Sequence, residues 1–343
     1  MTLFEPGSAD ALTLQSVDFN PEAPLKERQV LIRVAACAVA YRDIIDRSGG
    51  FPFMNKPTVL GHEVAGVVVS AAPDSKLSPG DRVVSLHWGQ YDGEAWPSPF
   101  LHKKSMKTFL GLTCNGGYAE YMTTHDTAFV KVPHANKWSA IDAAPVMSTF
   151  GTVWQGAVVR GRLQRCERVL VTGAAGGVGS AAVSIASRLG AYVIGSTGNM
   201  HTKSDFIRGL GANEVIPSNE GFHKSLSEGV DMVIECVGAP TFADSLRALK
   251  PGGRLVLIGN VTNANAKLPL GLCIVKSLSV IGTDSIEANE LLALFNWLEA
   301  ENIRPSISRV FPLEEVADAH RLLEERAVSG RVVLDINSSI WEG

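Results

Sequence analysis

Val171-Thr172-Gly173-Ala174-Ala175-Gly176-Gly177-Val178-Gly179 follows the apolar run Arg168-Val-Leu and precedes a helical pattern over 180–189. Glycines at such a turn let the backbone approach a pyrophosphate closely, and the helix start adds unpaired N–H groups and a positive dipole end. Glycines also mark ordinary tight turns, so the alternation of strand and helix on both sides carries the reading of a dinucleotide site. The next apolar run, Tyr192-Val-Ile-Gly-Ser-Thr, ends in Ser196-Thr197-Gly198-Asn199 and has no Asp or Glu there. An acid at that point would bond the adenosine ribose 2′-OH and repel a 2′-phosphate. Hydroxyls, an amide and the nearby Lys203 can instead meet three anionic oxygens, which predicts NADPH rather than NADH. Lys203 also reads as an ordinary residue of a solvated helix face. Arg331, near the last apolar run, is a further candidate for the phosphates.

The elements that must hold these residues are visible around them. Apolar runs at 168–172, 191–196, 230–236 and 253–258 alternate with helical stretches at 178–189, 202–210 and 241–249. Such alternation demands crossover connections, and so predicts an α/β fold with a doubly wound parallel sheet. Leu278-Ser-Val-Ile-Gly reads as its last strand. Residues before about 135 differ, with short β-rich runs such as Gln29-Val-Leu-Ile-Arg-Val and Val64-Ala-Gly-Val-Val-Val separated by Pro-Gly and Gly-Gly turns, as in a β-barrel-like domain. The segment 88–115, with Pro97, Pro99 and three lysines, reads as a surface lobe. The helical run 287–301 and the closing Arg331-Val-Val-Leu-Asp-Ile strand are expected to return to the first domain. The expected division is therefore 1–138 with 285–343 against 139–284.

A chain of 343 residues exceeds one simple core, and 45% apolar with 19% charged residues is ordinary for a globular enzyme. The net charge of −4 offers no basic face for nucleic acid. No Lys/Arg block suits a membrane surface, and no apolar stretch approaches the roughly 20 residues that span a bilayer. The start Met1-Thr-Leu-Phe-Glu-Pro-Gly reads as neither signal nor transit peptide, and Trp341-Glu342-Gly343 as no retention tag. Five scattered cysteines (Cys37, Cys114, Cys166, Cys236, Cys273) form no CxxC pair, which predicts reduced thiols in the cytoplasm.

Taken in order, Gly61-His62-Glu63-Val64-Ala65-Gly66, Pro79-Gly80-Asp81-Arg82-Val83-Val84, Gly116-Gly117-Tyr118-Ala119-Glu120-Tyr121 and the glycine turn resemble the medium-chain dehydrogenase/reductase superfamily over essentially the whole chain. Gly238-Ala-Pro-Thr-Phe-Ala-Asp-Ser-Leu and Gly259-Asn260-Val261 are most similar to a branch with acryloyl-CoA reductases and zinc-type alcohol dehydrogenases. The glycine turn is also typical of quinone oxidoreductase and enoyl reductase members. The resemblance implies a GroES-like β-barrel catalytic domain, a Rossmann cofactor domain and a homodimer joined through the strand near 278–283. Its catalytic zinc would need Cys, His and Cys or a carboxylate. Here the first cysteine position falls at Ala40 and the second near Ser148, leaving only His62 and Glu63. The lobe that would hold a structural zinc contains only Cys114. No metal is therefore expected.

Without a Lewis acid, an isolated ketone is hard to reduce, because the developing alkoxide lacks strong stabilisation. A conjugated C=C bond is more tractable: hydride adds to the β-carbon, charge delocalises into an enolate, and one proton completes the α-carbon. The resemblance places a small-molecule substrate between the domains. Thr152 would pack behind the nicotinamide, Gly176, Gly177 and Val178 would meet the pyrophosphate, and Gly259 with Asn260 would flank the ribose. Tyr41 matches a position near the cofactor phosphates, as a proton relay, a phosphate contact or a pocket wall. His62 is a donor to the enolate oxygen or a satisfied core histidine. Asp43 would orient that imidazole, with Glu63, or serve as a structural acceptor. His87, His102 and His125 read as surface or lobe residues. Trp88, Trp96, Phe100 and Phe109 line the pocket or form a small core of their own, and Lys103, Lys104 and Lys107 suit CoA phosphates or a solvated loop. An alcohol or carbonyl dehydrogenase, a non-catalytic NADPH-binding protein and a tailoring enzyme of specialised metabolism are the alternatives.

Overall fold

Apolar residues run almost unbroken through Gln29–Val39, and the strand they form is buried along nearly its full length. One side pairs antiparallel with Glu63–Ala71. The other is shared between Tyr121–His125 along the first half and Arg331–Asp335 along the second. Arg82–Ser85 and Phe129–Lys131 extend this seven-stranded sheet at one end, and Ile307–Pro312 at the other. The last two strands of the chain thus lie in the sheet that holds Gln29–Val39, and Ile307–Pro312 was not among the expected strands. The structure, a computed structural model, describes residues 1–50, 54–86, 109–133 and 137–342. The lobe residues His87, Trp88, Trp96, Phe100, His102, Lys103, Lys104 and Lys107 lie outside the described residues.

The second sheet is parallel throughout, in the order Glu214–Pro217, Tyr192–Thr197, Arg168–Val171, Val230–Glu235, Leu249–Leu257, Ser279–Gly282. The chain winds outward from Arg168–Val171 in one direction, then returns and winds outward in the other. Ligands of such sheets bind where the direction reverses, beyond the carboxyl ends of the strands. Here that point lies between Thr172 and Cys236.

The sequence reading missed several elements. Glu214–Pro217 is a strand too short to show a period. The strand expected from 253 begins at Leu249, because Pro251-Gly252-Gly253 forms an irregularity within it rather than a turn before it. Met147–Gly151 and Trp154–Arg160 are wide π-helical turns, with the Gly151 N–H reaching the Val146 carbonyl at 2.9 Å. Such turns are rare and occur often at functional sites. They set Ser148 and Thr152 one turn apart. The helix Val316–Glu324 was also missed.

Two features fix the sheets against each other. Ala35, Ala38 and Ala65 of the first sheet share one apolar core with Met147, Phe150 and Val153, and with Val171 and Ile234 of the second. The helix Ala288–Ala300 adds Leu291, Leu294, Phe295 and Leu298 to that same core, rather than packing on the first sheet alone. In addition, the Gly330 N–H donates to the Ala175 carbonyl at 2.8 Å, which ties the glycine turn to the strand Arg331–Asp335.

Candidate active site

The glycine turn is shaped by atoms that are missing. Gly173 has φ +58°, and a Cβ on Gly179 would lie 2.2 Å from the Gly173 carbonyl oxygen. Gly176 caps the helix Gly177–Arg188 in extended backbone without a side-chain cap, which leaves N–H groups of the first turn available to an anion. A Cβ on Gly177 would lie 2.4 Å from Cδ of Arg331, whose side chain crosses the turn at that point. Arg331 is 7% exposed, and its Nε has no partner among the described residues. An orphaned guanidinium N–H beside an uncapped helix start fits a diphosphate. Val178 is half-buried in the first turn of the helix.

At the strand reversal, Glu235 is completely buried and gathers the ends of two strands. Its Oε1 accepts from the hydroxyls of Thr172 and Thr241, each at 2.7 Å, and from the N–H groups of Val237 (2.9 Å) and Gly238 (3.0 Å). The sequence reading overlooked this residue, although an acid closing an apolar strand was a signal. Gly259 donates to the Glu235 carbonyl at 3.1 Å, and a Cβ there would strike the Cys236 carbonyl oxygen at 1.9 Å. Asn260, next to it, is exposed at the rim, and Thr152 is 7% exposed.

At the end of Tyr192–Thr197, Ser196 is fully buried and its hydroxyl has no partner among the described residues. The Thr197 hydroxyl accepts from the Asn199 N–H at 3.3 Å, and the Asn199 amide oxygen caps the following helix by accepting from the Thr202 N–H at 3.1 Å. Lys203 is less available than expected. Its ammonium donates to the carbonyls of Arg326 (2.8 Å) and Val328 (3.1 Å), and burial lowers its pKa. One proton is left for an anion.

On the opposite wall, the strand Gln29–Val39 runs into the helix Tyr41–Arg47, beside the start of Glu63–Ala71. This brings Asp43 to His62, with Oδ1 3.1 Å from Nδ1. Burial alone would raise the Asp43 carboxyl. The His62 imidazole, the Ala40 N–H and His320 overcome that and hold it well below the usual carboxylate range. His62 is only 1% exposed. Tyr41 is half-buried, and its hydroxyl bonds none of the described residues, so it is the more accessible donor. His125 lies far along the chain from these, closing the strand Tyr121–His125 beside Asp126. Glu63 is completely buried. One of its oxygens accepts from the Ser148 hydroxyl and the other pairs with Arg331.

The donor set does not suit zinc. Ala40 presents only a methyl group, the Ser148 hydroxyl is directed to Glu63, and the Glu63 charge is already matched by Arg331. Thiolates supply much of the affinity and charge neutralisation in such sites. Tyr118, which donates to Asp43, and His320, which bonds Tyr118 and Arg47 in turn, were not foreseen, because they stand far from Asp43 in the chain.

Comparison with known proteins agrees with this architecture. Residues 26–134 match the family model of the alcohol dehydrogenase GroES-like domain, and residues 210–334 match that of zinc-binding dehydrogenases. The second span contains none of positions 40, 62 and 148. An acryloyl-coenzyme A reductase of Metallosphaera sedula is 34% identical over 89% of this chain and 92% of its own length. Human quinone oxidoreductase is 28% identical over 97% and 96%. The crystal structure of AibC superposes with a TM-score of 0.85 at 34% identity, covering 97% of this chain and 94% of that one.

Proposed function

The chain belongs to the medium-chain dehydrogenase/reductase superfamily, and we propose that it is an NADPH-dependent, zinc-independent reductase of activated C=C bonds. The observation that carries this reading is the state of the zinc-ligand positions. Where a Lewis acid would sit, the chain has a methyl group, a hydroxyl and a carboxylate already paired with Arg331. Hydrogen-bond donors remain, and they suit an enolate better than an isolated alkoxide. The names of the relatives, acryloyl-coenzyme A reductase and quinone oxidoreductase, favour a conjugated acceptor such as an enoyl thioester, enone, enal or quinone.

In this reading residues 139–284 hold the cofactor, and 1–138 with 285–343 supply the proton donors. The helix start at Gly176, Gly177 and Val178 and the Arg331 guanidinium hold the diphosphate. Thr152 backs the nicotinamide, Gly259 and Asn260 border its ribose, and Ser196, Thr197, Asn199 and Lys203 surround the adenosine end. Bound there, the cofactor supplies the hydride. Tyr41 donates to the oxygen on which charge develops, with His62, held by Asp43, as the second donor.

The protein is further proposed to be a cytoplasmic homodimer. Its five cysteines are unpaired. The edge strand Ser279–Gly282 and the helix Leu270–Lys276 expose Leu270 (66%), Ile274 (76%) and Val275 (84%), an apolar face suited to a second copy. No helix among the described residues is long and apolar enough to cross a membrane.

The test is product analysis with an α,β-unsaturated aldehyde and either NADPH or NADH. Saturated aldehyde formed preferentially with NADPH is expected. Allylic alcohol would overturn the reading.

A further inference from the structure

Five side chains from four segments form one buried line behind the candidate donor. Asp43, Arg47, His62, Tyr118 and His320 are each at most 2% exposed, so water does not compete for their hydrogen bonds. The directions of those bonds follow from one fact: arginine has no acceptor. Arg47 Nη1 must donate to His320 Nδ1, 3.3 Å away. Neutral His320 then carries its proton on Nε2, which faces Tyr118 Oη at 3.1 Å. The single phenolic proton is left for Asp43 Oδ2, also at 3.1 Å. That oxygen accepts from the Ala40 N–H at 2.8 Å as well, and Oδ1 meets His62 Nδ1. Because Asp43 is ionised, His62 must keep a proton on Nδ1. Its Nε2 is the nitrogen not engaged by Asp43. The far end of the line is anchored where Arg47 donates to the Gly7 carbonyl at 3.1 Å and pairs with Glu324.

Charge and burial agree with this direction. Burial and the Arg47 guanidinium lower His320 to about 4 against the opposing pull of Asp43, so it is neutral near pH 7. Burial and Asp43 push the Tyr118 phenol well above its usual range, so it keeps its proton.

We propose that Tyr118 and His320 are positioning residues for the reaction. They hold the Asp43 carboxylate in one orientation and thereby keep one His62 proton on Nδ1 and fix how the ring is turned, so that it is a second proton, on Nε2, that His62 gives to the reacting oxygen. Tyr118 follows the Gly116-Gly117 turn and His320 stands on Val316–Glu324. The line therefore ties the tautomer of His62 to two elements remote from it in sequence. The inference rests on the reading that His62 meets the reacting oxygen. A network that served only stability would leave the protonation pattern of His62 unchanged when its far members are altered.

The experiment uses the full-length enzyme with ¹⁵N-labelled histidine. Long-range ¹H–¹⁵N correlation spectra distinguish the two tautomers of each ring, and kinetics are measured on the same preparations with NADPH and an unsaturated aldehyde. In the wild type, His320 is expected as the Nε2–H tautomer and His62 with a proton on Nδ1. Tyr118→Phe removes one oxygen atom. It should move the His62 resonances and lower kcat about 10-fold, with KM within about twofold. His320→Leu should do the same, whereas His320→Gln, whose amide can accept from Arg47 and donate to Tyr118, should restore both. A wild-type His320 protonated on Nδ1 would overturn the inference. So would unchanged His62 signals, or an unchanged kcat, in Tyr118→Phe and His320→Leu. The spectra need no turnover. If the aldehyde is not reduced at the C=C bond while the tautomers are as stated, the functional reading fails alone. If the C=C bond is reduced but the tautomers differ, this inference fails alone.

Discussion

The two sides of the proposed site are built on opposite principles. On the cofactor side the shape comes from absent side chains: Gly173, Gly177 and Gly179 leave room for backbone turns, for Arg331 and for an anion. On the donor side it comes from side chains that hold one another, Asp43 with His62 and Tyr118, and Glu63 with Ser148 and Arg331. The first kind of site is fixed locally and tolerates no added atom. The second is distributed over the chain, and each member holds the next in place. Arg331 belongs to both, since it crosses Gly177 and also pairs with Glu63.

The largest effect is expected where the cofactor wall is filled. A methyl group at Gly179 would meet the Gly173 carbonyl oxygen, which is backbone and cannot yield. Gly179→Ala should weaken NADPH binding by more than about 100-fold by fluorescence titration, since the turn itself must move. A milder loss would show that the turn is not held as tightly as the donor wall.

Arg331→Leu tests the shared residue. It strands the buried Glu63 carboxylate, and denaturant unfolding should register a loss of about 3–5 kcal/mol. Adding Glu63→Gln should recover much of that stability but none of the lost NADPH affinity. Recovery of both together would mean that Arg331 acts only within the donor wall.

The donor wall should show its own pH signature. His320, about 4 in the folded protein, returns to about 6.5 when unfolded, so its neutral form favours the fold. Its contribution is fully present above about pH 6.5 and is lost as pH falls through about 4, up to about 3 kcal/mol. Asp46, raised to about 6 by burial, acts in the opposite sense. The difference between wild type and His320→Gln in unfolding free energy isolates the histidine. Relative to His320→Gln, the wild type should lose stability steadily as pH falls from about 6.5 to about 4. A flat difference would contradict the assigned state of His320.

The smallest effect is expected at Lys203. Its ammonium already serves the carbonyls of Arg326 and Val328, so Lys203→Met should alter the NADPH/NADH preference by no more than about threefold. A drop of tenfold or more would mean that it leaves those carbonyls for a 2′-phosphate.

The same contrast explains what the sequence disclosed. The parallel sheet and its glycine turn were legible, because each rests on residues close in the chain or on a strand-helix period, whereas Asp43 as the partner of His62 was one of two readings and came from the family resemblance. The orphaned hydroxyl of Ser196 and the carbonyl partners of Lys203 were not, since both depend on how segments far apart come together. Tyr118 and His320 meet across 202 positions of sequence, a separation for which no local period exists. Glu235 is a middle case: an acid ending an apolar strand was visible, and most of its donors follow within ten residues, but the Thr172 hydroxyl comes from the end of a strand 63 positions away.

The account turns on hydride delivery without a metal, and one measurement addresses it directly. Chelator-treated enzyme is incubated with NADPH deuterated at the transferred position and an α,β-unsaturated aldehyde, and the product is read by NMR. Deuterium at the β-carbon of the saturated aldehyde, at an undiminished rate, is the predicted result. Deuterium at the carbinol carbon of an allylic alcohol, or activity abolished by the chelator and restored by zinc, would contradict it.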